Sequence, residues 1–401
     1  MRVGLFLGMN VPEEGGGYTF ETEVYQSLLK FGQESNHTFI VLTWGKGQPP
    51  KISTENIQFL SLYQSLGKRM VSKLSRTATG VFKKLRHPGS LFTVESRIEK
   101  LLFKYGIEFI WYLTPDCFTM EIPYITVVFD LQHRLQPYFP EVSTKGQWNW
   151  RERFYGTVLR RAAAVITGTE AGKAEIEYFY QVPKERIKIL PHPTPAFALN
   201  AAVDDGKQIL VKYSIPENYL FYPAQFWPHK NHMGLLQAVR LLRDKYQLIF
   251  PVVFVGSDKG NQSYIRQRVA ELGLSAQIHF LGFVPQEDLI SLYRKAFALT
   301  YLTFFGPENL PPLEAFALGC PVVASQVSGA REQLGEAALL VDPKDPEQIA
   351  LAIKSLYEGH TLRHTLIQRG LERALQWTGE DYVKGVFSIL DEFEPIRWCW
   401  K

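Results

Sequence analysis

Cysteine is scarce in this chain: Cys117, Cys320 and Cys399 are its only three, far apart in sequence. They set neither a disulfide framework nor a cysteine-based zinc site, so a reducing, cytosolic setting is the expectation. No apolar run reaches the ~18 residues that a membrane-spanning helix needs. Charge of either sign is in little excess, with 44 lysines and arginines against 40 aspartates and glutamates, a formal +4. That balance gives little support to nucleic-acid binding by the whole surface. Also missing are an Asp-x-Asp metal motif, the His-Glu-x-x-His of zinc hydrolases and the Gly-x-x-x-x-Gly-Lys-Ser/Thr loop of P-loop ATPases, so those chemistries are poorly supported. The opening MRVGLFLGMN reads as a strand running into a glycine loop, unlike a secretory signal with its cleavage site.

What is present suits two domains. The chain has 401 residues, 46% of them hydrophobic, enough for two cores, and its 24 prolines and 30 glycines are spread out. Strand-like runs at Arg2 to Leu7, Thr38 to Thr43, Ile57 to Leu62, Phe109 to Leu113, Ile125 to Phe129, Ala164 to Gly168 and Ile187 to Leu190 alternate with helical stretches. The helical stretches include Phe20 to Phe31, Val94 to Tyr105 and Arg151 to Arg161. Such alternation predicts an α/β fold, a parallel sheet with helices on both faces. Turn residues interrupt the pattern from Pro191 to Gln208. It restarts with Tyr219 to Pro223, helix Asn231 to Leu242, strand Phe250 to Gly256, helix Ser263 to Leu272 and strand Ile278 to Phe283. The apolar run Ala296 to Thr303 leads into the FFGPENLPPLEAFALGCPVVAS segment, and helices at about Pro346 to Tyr357, Leu362 to Gln376 and Asp381 to Phe393 close the chain.

Chemistry concentrates in Phe304 to Ser325. Pro311 and Pro312 fix φ near a helical value at a helix start, where a missing N–H costs nothing. The free donors there are then the amides of Asn309 and Leu310, which with the helix dipole suit a phosphate or a sugar hydroxyl. Glu314, one turn in, can accept hydrogen bonds from a diol, although a plain helix-start charge is the alternative. In FYPAQFWPHKNH, Asn231 can cap a helix and Lys230 places a cation at its entrance, suited to a diphosphate leaving group. Gly282 permits close backbone approach next to Phe283 and Val284. Gly15, Gly16 and Gly17 precede a helix after the first strand, and Thr169-Glu170 reads as a helix cap. In VVFDLQHRLQPYFP, Asp130 and His133 follow a strand end, where ligands bind in open α/β sheets. A structural role for that pair is as common as a functional one.

One stretch stands apart. From Gly67 to Gly89, seven basic residues (Lys68, Arg69, Lys73, Arg76, Lys83, Lys84, Arg86) occur with no acid and with interleaved Val71, Leu74, Val81, Phe82 and Leu85. The segment fits a membrane-surface contact and a solvated basic loop equally. Trp398, Trp400 and Lys401 would add interfacial contact or pack internally.

The segment Leu310-Pro311-Pro312-Leu313-Glu314-Ala315 resembles the signature Pro-Ser-x-x-Glu-Gly-Phe-Gly-Leu-Pro-Pro-Leu-Glu-Ala of the retaining nucleotide-sugar glycosyltransferases of family 4, which have the GT-B fold. The sequence departs upstream, where Gly306 stands at the first-glutamate position and Glu308 follows two residues later. The resemblance implies that Glu314 holds the nucleotide ribose, that the 309–310 amides face the donor, and that Glu308 or Asn309 takes the sugar contact. It supports Lys230, with Gln225 where relatives carry an arginine, as diphosphate contacts. It also implies that Phe283 and Val284 hold the base through the main chain and that Gly16 and Gly17 line the cleft near the phosphates. The 127–140 segment is similar to a His-Asp-Leu-Gln-His run of some relatives, with Phe129 for the first histidine, so Asp130 or His133 would orient the acceptor hydroxyl or the donor sugar. Arg331 and Glu332 are rim candidates.

The expected organisation is two Rossmann-like domains facing a cleft, at 1–200 on the acceptor side and 201–378 on the nucleotide-sugar side. By the resemblance, the terminal segment 379–401 returns to the first domain. Asp130, His133, Lys230, Glu308 and Glu314 are the catalytic candidates, with no metal site and no cofactor beyond the nucleotide-sugar substrate. The expected activity is metal-independent sugar transfer with retention, to a glycan or polyprenyl-diphosphate-linked acceptor, in cell-surface polysaccharide or lipopolysaccharide synthesis. No nucleic-acid partner is expected, and the expected location is cytoplasmic, with peripheral membrane contact through 68–86. A GT-B nucleotide-sugar epimerase and an inactive nucleotide-binding scaffold are the alternatives.

Overall fold

The structure, a computed structural model, describes residues 1–8, 11–12, 15–43, 56–62, 92–202 and 207–400; the basic stretch at 67–89 and Lys401 lie outside the described residues. Two fully parallel sheets organise the chain. The first has the order β3-β2-β1-β4-β5-β6-β7, built from Arg2–Phe6, Thr38–Thr43, Ile57–Ser61, Phe109–Tyr112, Tyr124–Val127, Ala164–Thr167 and Ile187–Ile189 as β1 to β7. The second has the order β10-β9-β8-β11-β12-β13, from Leu220–Pro223, Val252–Val255, Ile278–Gly282, Ala298–Tyr301, Val322–Ser325 and Ala338–Val341 as β8 to β13. Helices cover both faces of each sheet, so central strands such as Phe109–Tyr112, Val252–Val255 and Val322–Ser325 are buried at every position. A strand of that kind reads as a continuous apolar run, which is why it is visible in sequence.

Both sheets reverse their strand order once, between β1 and β4 and between β8 and β11. Loops leaving neighbouring strand ends diverge at such a point and open a crevice, where ligands of open α/β sheets bind. The two crevices face each other. Sequence reading misses β13, because Ala338–Val341 is four apolar residues without a period. It also starts the first helix late. That helix begins at Gly16 rather than Phe20, since Gly15 supplies the φ of 73° needed to turn the chain into it.

The terminal helix Gly379–Arg397 returns to the first domain and lies along Gly16–Phe31. Thr378 and Asp381 form a reciprocal cap at its start. Its apolar face inserts Tyr382 against Phe20 (centroids 5.4 Å apart), Phe387 against Phe39 (5.5 Å) and Phe393 against Phe109 (5.0 Å). The buried Tyr382 and Phe387 rings each contribute about 1.5–3 kcal/mol of transfer free energy, and the half-buried Phe393 less. The two chain crossings between domains are bonded to each other: Trp377 Nε1 donates to the Pro191 carbonyl at 2.7 Å and the Thr194 amide to the Trp377 carbonyl at 3.0 Å.

Replacing Phe387 by alanine should therefore lower unfolding free energy by about 3–5 kcal/mol in a urea titration. A loss below about 1 kcal/mol would mean that the terminal helix does little to hold the first domain.

Candidate functional site

A cavity of 440 Å³ opens where the two crevices meet. The first domain lines it with Gly15 to Tyr18, Phe20, Phe129 and His192, and the second with Gln225, Lys230, Phe283, Val284, Tyr301, Glu308, Asn309, Leu310 and Glu314. The fold thus gathers Gly16, Gly17, Gln225, Lys230, Phe283, Val284, Glu308, Asn309, Leu310 and Glu314 around one space. Asp130 and His133 do not line it.

Two helix starts meet there. Gly16–Phe31 begins with the amides of Gly16, Gly17 and Tyr18, which have no protein acceptor among the described residues. Leu310–Ala317 begins opposite, close enough that a Cβ on Gly16 would stand 3.9 Å from Leu310 Cδ1. The Leu310 amide likewise has no protein acceptor among the described residues. The Asn309 amide does not act as a free donor. It donates to Gln333 Oε1 at 3.0 Å, while Gln333 Nε2 donates to the Asn309 carbonyl at 3.0 Å. A side-chain amide matches a backbone amide donor for acceptor, so Gln333 satisfies this residue and leaves only Leu310 of the expected pair. Nothing in the local sequence connects residues 309 and 333.

Lys230 ends a short 3-10 turn, Pro228–Lys230, before the helix His232–Asp244. Asn231 fixes that junction: its Oδ1 accepts from the Gly234 amide, and its Nδ2 donates to the Leu302 and Pro343 carbonyls. Lys230 Nζ donates to Tyr301 Oη at 2.9 Å and reaches Asn309 Oδ1 at 3.5 Å, beside the Leu310 amide. Gln225 Oε1 accepts from Trp227 Nε1 at 2.8 Å. Glu314 is 6% exposed and accepts from Tyr293 Oη at 2.7 Å. Burial pushes its carboxyl up to about 7, and the Tyr293 hydrogen bond pulls it back only in part. Phe283, 49% exposed, offers a free ring at the cavity edge.

Gly306 has φ 132°, and a Cβ there would come within 2.9 Å of the Asn309 side chain. The glycine that stands where the resembled signature has its first glutamate is thus a requirement of this loop's backbone. Glu308 turns toward the first domain, where Oε1 accepts from the His192 amide at 2.7 Å.

Asp130 pairs with Arg151 at 2.6 Å and accepts from the Gln132 amide at 2.9 Å. Burial opposes its charge, but Arg151 and that amide hold the carboxyl below its ordinary range. His133 is fully buried, stacked on Tyr155, with Nε2 2.8 Å from Glu152 and 2.9 Å from Tyr180 Oη. Burial, then the Arg151 charge, lower it to about 4, so the ring is neutral near pH 7 and sits inside the first domain. The chain turns inward after Asp130 as the short helix Gln132–Leu135, which carries His133 away from the cleft.

Contacts between the domains hold the cavity closed. Glu141 accepts from the His229 ring and, at 3.2 Å, from its amide. Gln136 Nε2 donates to the Phe304 carbonyl at 3.0 Å. Glu332 accepts from the amides of Glu170 (2.6 Å) and Ala171 (3.1 Å) at the start of Glu170–Tyr180, where the helix dipole favours a carboxylate. Thr169 caps the same helix, its Oγ1 accepting from the Gly172 amide. Arg331 pairs with Glu336 on the surface and does not line the cavity.

Residues 208–373 match the family model described as glycosyl transferases group 1. Among curated proteins, an O-antigen chain mannosyltransferase B of Escherichia coli is 29% identical over 60% of this chain and 64% of its own length. The O-antigen chain mannosyltransferase RfbU of Salmonella typhimurium is 29% identical over 49% of this chain and 52% of its own. The chain thus spans between about half and two thirds of these relatives. The solved sucrose-phosphate synthase of Thermosynechococcus elongatus superposes over 100% of both chains with a TM-score of 0.73 at 17% identity. Residues 208–373 are thus similar to the glycosyl transferases group 1 family, in a chain with the two-domain GT-B fold.

Proposed function

We propose that this chain transfers a hexosyl or deoxyhexosyl group from a nucleotide-diphosphate sugar to a glycan or polyprenyl-diphosphate-linked acceptor. In this reading the transfer retains the anomeric configuration, needs no metal and serves cell-surface polysaccharide or lipopolysaccharide synthesis. One observation carries it. Amides at two helix starts, Gly16 to Tyr18 and Leu310, have no protein acceptor among the described residues and line the same cavity as Lys230, with buried Glu314 beside them. Such a set supplies positive charge where a departing diphosphate gains negative charge, without reorganisation at the moment of reaction. Mannose is the first candidate sugar, because the similar curated proteins are named mannosyltransferases.

In the proposed step the bond from the anomeric carbon to the β-phosphate oxygen breaks and the acceptor oxygen bonds to that carbon on the same face. The acceptor proton leaves with the diphosphate oxygen. Lys230 and the helix-start amides stabilise the diphosphate, Glu314 accepts from the ribose hydroxyls, and Phe283 and Val284 flank the base. Closure of the domains excludes water. The reading places the chain in the cytoplasm at the inner membrane face, contacting it through 68–86 and through Trp398, which is 73% exposed. No helix among the described residues is long and apolar enough to cross a membrane.

Calorimetry across UDP-, GDP- and dTDP-hexoses should find one base bound, with slow sugar release that Glu314→Ala abolishes. No binding to any donor would favour the inactive scaffold, and interconversion of the donor without acceptor would favour the epimerase. Product from an acceptor assay, read by NMR, should keep the donor's anomeric configuration and form equally in EDTA. An inverted product or loss of activity in chelator would contradict the mechanism.

The Glu314 environment sets a pH dependence. Ribose hydroxyls bind the ionised carboxylate, so nucleotide affinity should rise as pH climbs through about 7. Glu314→Gln should flatten that rise once the nucleotide's own titration is subtracted; an unchanged profile would remove Glu314 from the ribose site. The same shift disfavours the folded state as pH rises from the unfolded carboxyl range to about 7. Lys230→Ala should weaken donor binding and turnover together, by about 1.5–3 kcal/mol in binding for a charged hydrogen bond. Unchanged kinetics would exclude Lys230.

A further inference from the structure

The proposed step leaves His192 without a role, although it faces the cavity. His192 follows β7 in the first domain; Glu308, which it touches, lies on the loop after β11 in the second. The His192 ring lies against Phe20 (4.9 Å between centroids) and Phe129 (5.4 Å), with its side chain 15% exposed. Its Nδ1 is buried without a hydrogen-bond partner among the described residues and lies 3.9 Å from Glu308 Oε2. The part of the ring that stays exposed lines the cavity, within reach of a ligand hydroxyl placed there.

Glu308 is held just as closely. Its side chain is 5% exposed, and a Cβ on Gly168 would stand 1.4 Å from Oε2, so only glycine leaves room for this carboxylate. Burial raises its carboxyl above the ordinary range, while the His192 ring and amide pull it back.

We propose that His192 is a positioning residue for a hydroxyl of the transferred sugar, paired across the domain boundary with Glu308. The inference rests on the glycosyltransferase reading above. The carboxylate and the imidazole together offer a sugar hydroxyl both an acceptor and a donor, and Phe20 and Phe129 wall the pair off from solvent. Because the two residues belong to different domains, the clamp is complete only when the domains are closed. Nucleotide binding, which uses the Lys230 and Glu314 end of the cavity, does not involve it.

The test is calorimetry on wild type, His192→Ala, His192→Gln and Gly168→Ala, after thermal melts establish that each is folded. The probes are UDP, GDP and dTDP and their hexose conjugates. His192→Ala should bind the free nucleoside diphosphate as wild type does but the nucleotide-hexose roughly tenfold more weakly. His192→Gln, which keeps an N–H and an oxygen, should recover part of the loss. Gly168→Ala, which displaces Glu308, should reproduce the His192→Ala pattern and serves if that variant fails to fold. If wild type binds a donor but His192→Ala weakens nucleotide and nucleotide-hexose equally, or neither, the role of His192 is overturned while the glycosyltransferase reading stands. If wild type binds no nucleotide or conjugate, both fall.

Discussion

The helix starts at Gly16 and Leu310 leave main-chain N–H groups with no protein acceptor among the described residues, and folded chains tolerate such groups where water or a ligand accepts from them. Much of the architecture serves to hold these two starts opposite each other. Each helix follows a strand at a point where its sheet reverses order, so the loop leading into it diverges from its neighbour and opens a crevice. Each approach is made by residues that cannot block it: glycines on one side, and on the other a Leu-Pro-Pro start that removes competing donors. Lys230 is brought to the same place by Asn231, whose side chain spends all its hydrogen bonds on fixing that junction.

Closure depends on a recurring contact, a carboxylate of one domain accepting from main-chain amides of the other. Glu332 takes the amides of Glu170 and Ala171, Glu308 takes that of His192, and Glu141 takes that of His229. Hydrogen bonds to charged groups are individually stronger than neutral ones; the exposed Glu332 contact is the one easily exchanged for water, whereas the Glu308 and Glu141 carboxylates are buried. The permanent attachment is different in character: the terminal helix inserts a row of rings into the first domain, and the paired crossings at Pro191 and Trp377 keep the two links between domains together.

The second sheet was largely legible in the sequence because its strands are covered on both faces and read as unbroken apolar runs. Its site was legible because main-chain donors announce themselves through proline and glycine. Long-range polar pairing was not legible. Gln333 satisfies the Asn309 amide across the fold, and no local pattern links the two. His133 follows a strand end, as ligand-binding residues do, yet the next short helix turns it inward onto Tyr155 and Glu152. His192 lies in a turn-rich break with no periodicity to mark it, and only the folded chain reveals that it faces the cavity.

A crystal structure of the chain with its preferred nucleoside diphosphate would show where the diphosphate seats. The phosphates should lie between the Gly16 to Tyr18 amides, the Leu310 amide and Lys230 Nζ, with both ribose hydroxyls on Glu314. A nucleotide bound outside this cavity, or with its phosphates turned away from both helix starts, would contradict that placement.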